Sequence, residues 1–192
     1  MPLIQLSEIA DVIVMTFAVG FIFMDVFKKP ARQDYDPLLH YRPGFDWESL
    51  KYAALITAPA VILHEIGHKI AALSFGMHAV FNAAYTWLGL GVLLKLMNFG
   101  FIFFVPAYVS IAGTGTPLQF SMIAFAGPFV NLVLWLGSLF AVKQKLVTNP
   151  FWTRTLQLTA KINMFLFIFN MLPIPGFDGF KVYSGILQSL GA

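Results

Sequence analysis

Long apolar runs separated by short polar segments dominate the pattern along this chain of 192 residues. The clearest runs cover residues 9–27, 52–75, 120–142 and 155–172. Each run is close to the roughly 20 residues that a helix needs to cross the hydrocarbon core of a bilayer. The pattern therefore predicts an integral membrane protein with several spanning helices.

Polar residues concentrate at the ends of the first run and directly after it. Asp11 and Asp25 bracket the uncharged part of that run and are predicted to mark its interfacial ends. Residues 28–50 form the most polar part of the chain and contain three prolines, which predicts a loop. His40 lies in this segment and is interpreted as an ordinary loop histidine.

In residues 77–86 the odd positions are apolar or aromatic, whereas the even positions include the polar residues His78, Asn82 and Thr86. This alternation does not follow the helical period. A period of two predicts a strand. Strand backbone at membrane depth is tolerated only where protein covers it or where it lines a wet cavity. Residues 87–105 are consistent with a tilted helix or with part of a re-entrant hairpin. Lys95 interrupts this apolar run, so both alternatives stay open. Residues 106–117 read as a loop with strand-like character.

Composition narrows the class of protein further. The chain is 58% hydrophobic and 11% charged, which is far from the usual soluble mixture. Its net charge of +3 is too small and too scattered to indicate a nucleic-acid partner. The absence of cysteine excludes disulfides, thiol nucleophiles and cysteine-ligated metal sites. The opening lacks a basic segment, so no cleaved signal peptide is predicted, and residues 1–192 are treated as one domain.

The segment HEIGH at residues 64–68 brings ionisable groups into the second apolar run. A helix places His64 and His68 on one face, one turn apart, at the spacing of two ligands of one zinc ion. Glu65 projects about 100° around the helix, where it can act as a general base. Gly67 leaves the helix surface bare for a close neighbour, and Lys69 is expected to snorkel without a special role.

A third zinc ligand is needed, because catalytic zinc typically takes three protein ligands. No glutamate follows Glu65 in the sequence, so the candidates are His78 and Asp178. His78 belongs to the strand-like segment. Asp178 stands in NMLPIPGFDG, where prolines end a helix and glycines permit a tight turn toward a metal. Asp178 is therefore the preferred ligand, and His78 is the alternative.

Three motifs in this order carry a resemblance to a known family: HEIGH, then AGPFVN at 126–131, then NMLPIPGFDG at 170–179. They resemble the HExxH and NxxPxPxxDG signatures, with the AGPxxN sequence between them, of the site-two protease family of intramembrane zinc metalloproteases. The resemblance implies one zinc per chain, held by His64, His68 and Asp178, with Glu65 as general base. It further implies that Asn170 and Asn131 bind the substrate or support the oxyanion. Asn131 would also support the core between the spans.

The same resemblance implies a fold. An all-α polytopic membrane protein is expected: a small transmembrane helix bundle with a membrane re-entrant β-hairpin-like element. That element covers residues 76–118, which are numerous enough to include an extra helix. Its edge is expected to pair with locally unwound substrate by strand addition.

The predicted function is that of an intramembrane zinc metalloendopeptidase in a multi-pass protein of the cell membrane. Its partners are the lipid bilayer and a transmembrane protein substrate, cleaved by regulated intramembrane proteolysis. The alternatives are a membrane metal-ion transporter, since broken helices with histidine, aspartate and asparagine also build transport sites, and a catalytically silent scaffold. Counting lysine and arginine puts the loops at 28–51 and 143–154 in the cytosol, and these loops flank the span ends away from the site. The family usually places its active site toward the cytosol, so the two indications conflict, and the orientation implied by the resemblance is preferred.

Overall fold

The computed structural model describes residues 5–28, 45–99 and 105–191, so that His40 and most of the predicted loop lie outside the described residues. Within these ranges the chain is mostly helical, with one small sheet, as predicted. Its elements are α1 (Leu6–Phe23), α2 (Trp47–Ser74), β1 (His78–Ala83), α3 (Tyr85–Leu96), β2 (Ala107–Ala112), α4 (Pro117–Lys143), α5 (Pro150–Asn170) and α6 (Asp178–Ser189).

Local capping signals account for where the long helices begin. The Asp46 carboxylate accepts a hydrogen bond from the backbone of the first turn of α2. Thr116 and Gln119 exchange reciprocal hydrogen bonds at the start of α4, which is a capping box. Asn149 accepts bonds from two backbone N–H groups at the start of α5. Both α4 and α5 also have proline in the first helical turn, where no backbone N–H is needed.

Three of the described helices, α1, α2 and α4, are long and apolar enough to cross a membrane. They correspond to the predicted runs at 9–27, 52–75 and 120–142, with boundaries that differ by a few residues. The fourth predicted run, at 155–172, falls mostly in α5, which is a helix but lies outside that group of three.

The two strands pair antiparallel, with His78 opposite Ala112 and Ala83 opposite Ala107. β1 therefore confirms the strand predicted from the alternation, although it ends at Ala83 and Tyr85 already begins α3. Helix α3 lies between the strands in sequence, and residues 100–104 lie outside the described residues. The segment thus combines a strand pair with the extra helix for which its length leaves room.

Helix α4 occupies the centre of the bundle, where it packs against α2, α5 and α6. Its approach to α2 depends on Gly67, because a Cβ there would lie 2.8 Å from the backbone oxygen of Ala126. This contact confirms the close neighbour predicted at Gly67. It sets the histidine-bearing face of α2 directly against α4.

Helix α1 packs on α2, and α1 together with the turn after it carries three carboxylates that bind α2 and the segment around the sheet. Lys69 is buried and forms an ion pair with Glu8, so the expectation that it snorkels is wrong. Asp11 accepts a hydrogen bond from the Tyr85 hydroxyl. Asp25 accepts one of 2.7 Å from Nζ of Lys95, the lysine that interrupted the apolar run.

Candidate active site

Two histidines and one aspartate converge between α2 and α6. The Nε2 atoms of His64 and His68 lie 3.1 Å apart, and each lies 3.2 Å from Oδ2 of Asp178. Both imidazoles are buried, and their α-helical spacing of four residues puts them on one face, as predicted. In a tetrahedral site with zinc bonds of ~2.0 to 2.1 Å, ligand atoms are separated by about 3.3 Å. The three atoms therefore have the spacing and the chemistry of a zinc site.

Asp178 reaches this position because the chain reverses between α5 and α6. Helix α5 ends at Asn170, the prolines of the motif follow, and Gly176 adopts a φ of +101°, which favours glycine. Gly179 packs against the end of α5, since a Cβ there would lie 2.5 Å from the backbone carbonyl of Met171. The turn thus delivers Asp178 as the first residue of α6, beside the histidines.

Acceptor oxygens behind the imidazoles fix their orientation. Oδ1 of Asn131 lies 2.6 Å from Nδ1 of His64, and the backbone oxygen of Ile123 lies 2.8 Å from Nδ1 of His68. An oxygen acceptor requires the proton on Nδ1, which leaves the lone pair of Nε2 free to bind a metal. Nδ2 of Asn131 in turn donates a hydrogen bond of 2.8 Å to Oδ1 of Asn163, and both asparagines are completely buried.

Gly127, the glycine of AGPFVN, leaves the space in front of the histidines open. A Cβ at this position would lie 2.3 Å from Nε2 of His68 and 2.8 Å from Nε2 of His64. Those are the two nitrogen atoms that face Asp178. Any side chain at residue 127 would therefore occupy the region in which a metal ion belongs.

A cavity of about 860 Å³ adjoins the cluster and is lined by all three of its residues. Glu65 is buried and also lines the cavity, and no hydrogen bond or ion pair of its carboxylate is found among the described residues. Asn170 lines the cavity from the end of α5, and residues 107–109 and 111 line it from β2. Lys181, three residues after Asp178, adds a positive charge to the wall.

The remaining predicted residues take other positions. His78 is exposed at the start of β1 and is not part of the metal-ligand group found among the described residues. Asn131 is absent from the described cavity lining and lies behind His64, where its side chain is hydrogen-bonded to the imidazole and to the backbone oxygen of Ala60. Asn163, Gly127 and Lys181 were not singled out in the sequence. Gly127 belongs to the AGPFVN motif and Lys181 follows Asp178 at helical spacing, whereas Asn163 had no local signal.

Comparison with known proteins gives a consistent result. The profile of peptidase family M50 matches residues 135–191. A protein of Methanocaldococcus jannaschii named "Putative zinc metalloprotease" is 33% identical over 180 residues, which cover 91% of this chain and 82% of that protein. Proteins from Synechocystis and Mycolicibacterium smegmatis, also named "Putative zinc metalloprotease", are 30% and 31% identical over 77% and 63% of this chain, respectively. The chain covers 34% and 51% of those two proteins. No solved structure matches.

Proposed function

Because the chain belongs to peptidase family M50, the site-two protease family of zinc metalloproteases, we propose that it cleaves peptide bonds in or near transmembrane segments of membrane-protein substrates. The observation that carries this proposal is the convergence of His64, His68 and Asp178 at a cavity that Glu65 also lines. The helices α1, α2 and α4, which are long and apolar enough to cross a membrane, support a multi-pass membrane location.

His64, His68 and Asp178 are the proposed ligands of one zinc ion per chain, and the Nδ1 contacts of the histidines keep both Nε2 atoms available for it. When bound there, zinc supplies Lewis-acid chemistry: it polarises the scissile carbonyl and makes a water molecule more acidic. Asn131 and the backbone oxygen of Ile123 hold the imidazoles in the required tautomer. The fit is supported by the ligand-atom separations and by the space left at Gly127.

Glu65 is the proposed general base and acid. Its carboxylate accepts a proton from the attacking water and returns that proton to the departing amine, which requires an oxygen atom open to the cavity. Glu65 follows His64 directly and has no described hydrogen-bond partner that would compete for its lone pairs. Asn170, at the wall of the same cavity, is proposed to hold the substrate backbone or the reacting carbonyl.

The substrate is proposed to bind in extended form along β2. Peptide bonds in a helix are protected by their own hydrogen bonds, so a spanning segment must unwind locally before it is cleaved. A strand edge stabilises such an extended segment through backbone hydrogen bonds. Three residues of β2, Ala107, Val109 and Ile111, line the cavity that contains Glu65, which supports this docking mode. The strand–helix–strand segment is accordingly proposed as the membrane re-entrant element.

The test is to incubate purified protein with a panel of single-span substrates, with zinc present, after chelation and after zinc is restored. We expect cleavage within or beside the span of some substrates, loss of cleavage on chelation and its recovery with zinc. Zinc flux through protein-containing vesicles, measured in parallel, covers the transporter alternative. Flux without cleavage of any substrate would overturn the proposal.

A further inference from the structure

The Glu8 carboxylate receives three hydrogen bonds from three different parts of the chain. Oε1 accepts from Nζ of Lys69 and, at 2.7 Å, from the backbone N–H of Phe81. Oε2 accepts from the backbone N–H of Gln5 at 2.7 Å. Glu8 and Lys69 are only 3% and 7% exposed, so the pair is withdrawn from solvent. One side chain of α1 thereby joins α2 to β1.

Lys69 directly follows His68 in α2, so this contact anchors the helix that bears the metal ligands. A charged group buried in an apolar bundle is costly unless it is paired and hydrogen-bonded. Glu8 meets that requirement for Lys69, and it also accepts the N–H of Phe81. The carboxylate therefore fixes the zinc-ligand helix and the sheet relative to one another.

The backbone N–H of Phe81 points away from β2, so Glu8 covers the edge of β1 that does not pair with β2. Successive residues of a strand turn their backbone groups to opposite sides. The N–H of Ala84 bonds to the backbone oxygen of Pro106, continuing the β1–β2 ladder, so even-numbered residues of β1 face β2. Phe81 has the opposite parity, and its N–H is taken by Glu8.

The outer edge of β2 has a different environment. By the same alternation, Ala107, Val109 and Ile111 turn their backbone groups away from β1, and no hydrogen bond to those groups is found among the described residues. All three line the cavity of the candidate active site. An unpaired strand edge is a template for another strand. The sheet thus has one edge closed by α1 and one edge open toward Glu65.

We propose that Glu8 is a positioning residue that closes the β1 edge and holds the sheet against the zinc-ligand helix, so that an extended substrate segment pairs only with β2. This inference rests on the proposed protease function. Glu8 belongs neither to the ligand cluster nor to the described cavity lining, so it acts through Phe81 and Lys69 and not on the reacting atoms.

Two double variants isolate the contact to Phe81. Glu8→Gln with Lys69→Met removes both charges but keeps a side-chain oxygen that can accept from the Phe81 N–H. Glu8→Leu with Lys69→Met removes the charges and the acceptor together. Hydrogen exchange of the Phe81 amide is expected to be about tenfold faster in the Leu/Met protein than in the wild type, because a hydrogen bond to a charged group is lost. The Gln/Met protein should retain most of the protection.

Cleavage kinetics and zinc content of the same preparations complete this test. The double variant with Glu8→Leu is expected to keep its zinc and to show a raised KM for the substrate with a smaller change in kcat. The double variant with Glu8→Gln should have a KM close to that of the wild type. Equal amide exchange and equal KM in the two proteins would overturn the role of Glu8. The exchange measurement needs no substrate, so it remains decisive if the proposed protease function fails.

Cross-linking identifies the edge that the substrate uses, in protein whose α1 contact is intact. The chain has no native cysteine, so single cysteines give no background. Tyr108→Cys and Asn82→Cys are matched positions, because the two residues lie opposite each other on β2 and β1. In a Glu65→Gln background, short cross-links to single-cysteine substrates are expected from residue 108 and not from residue 82. Preferential cross-linking from residue 82 would contradict the proposal.

Discussion

Two clusters of buried ionisable side chains meet on α2, and they differ in what surrounds them. In the first, the donor atoms of His64, His68 and Asp178 converge at the wall of a cavity of about 860 Å³. In the second, Glu8 and Lys69 are enclosed, and the carboxylate is occupied by donors from Lys69, Phe81 and Gln5. An occupied cluster ties elements together, whereas the side-chain atoms of a cluster that opens on a cavity remain accessible, as the proposed binding of zinc and substrate requires.

The cost of burying charge identifies polar residues that need partners but does not distinguish their roles. The same cost applies to His64 and to Lys69, which are five residues apart in one helix. Only the direction in which each side chain points, toward the cavity or toward α1, separates a reactive group from a structural one. Substitutions at the two clusters should therefore have different consequences for zinc content, cleavage and folding.

The largest expected effect is at Asp178. Asp178→Ala leaves only two protein ligands, so we expect zinc content and cleavage to fall to background while the helix bundle still folds. Metal analysis of purified protein and circular dichroism check this. His78→Ala is the matched control, because His78 is exposed on β1 and should retain full zinc content. Full zinc in Asp178→Ala together with its loss in His78→Ala would reverse the ligand assignment.

Gly127→Ala should have the next largest effect. The new Cβ would lie 2.3 Å from Nε2 of His68, so the imidazole must move away from its ligand position. We expect zinc affinity to drop more than in any variant that only loosens a ligand, as measured by competition with a chromogenic chelator. Gly137→Ala in the same helix is the control, since no atom lies within 4 Å of a Cβ there. Equal zinc affinities in the two variants would contradict the role assigned to Gly127.

Asn131→Ala removes the acceptor behind His64 and tests orientation without adding bulk. Loss of such a supporting partner typically costs about 10- to 100-fold in metal affinity or activity. Asn163→Ala removes only the residue that receives a bond from Asn131 and should therefore have a smaller effect. Zinc titrations of both variants provide the measurement, and a greater loss in Asn163→Ala would contradict the proposed order.

The smallest expected effect is at Asp46, at the far end of α2 from the ligands. Replacing this N-cap by Ala should lower the free energy of unfolding by about 1 kcal/mol, with zinc binding unchanged. The hydrogen bonds from Ser49 lower the pKa of Asp46, so its contribution is present above the ordinary carboxyl pKa and is lost as pH falls through the lowered value. Asp46→Asn keeps an acceptor, and its advantage over Ala should not depend on pH. Denaturation in detergent across acidic pH checks both statements.

The convergence of His64, His68 and Asp178 was largely predictable because its signals are local. The spacing of His64 and His68 follows from the geometry of one helix, and the prolines and glycines around Asp178 indicate a turn at the end of another. The alternation at 77–86 likewise identified β1 from neighbouring residues alone. Helix starts at Asp46, Thr116 and Asn149 carry their signals within one turn.

The remaining contacts depend on which elements pack together, and no local pattern encodes that. Glu8 and Lys69 are separated by 61 positions, and Asn131 lies 67 positions from His64. Glu8 stands near the start of an apolar run, where it resembles an ordinary polar flank. Gly127 lies in the AGPFVN motif, but its contact with the two imidazoles becomes visible only when the fold brings α4 against α2.

The most direct test of the account is the behaviour of Glu65→Gln, because it separates catalysis from metal binding. Glutamine preserves the size of the side chain and can hydrogen-bond, but it cannot transfer a proton. We expect a folded, zinc-loaded protein that captures substrate and cleaves it at least ~100-fold more slowly than the wild type, measured on one preparation. Cleavage by Glu65→Gln at nearly the wild-type rate would contradict the proposed mechanism.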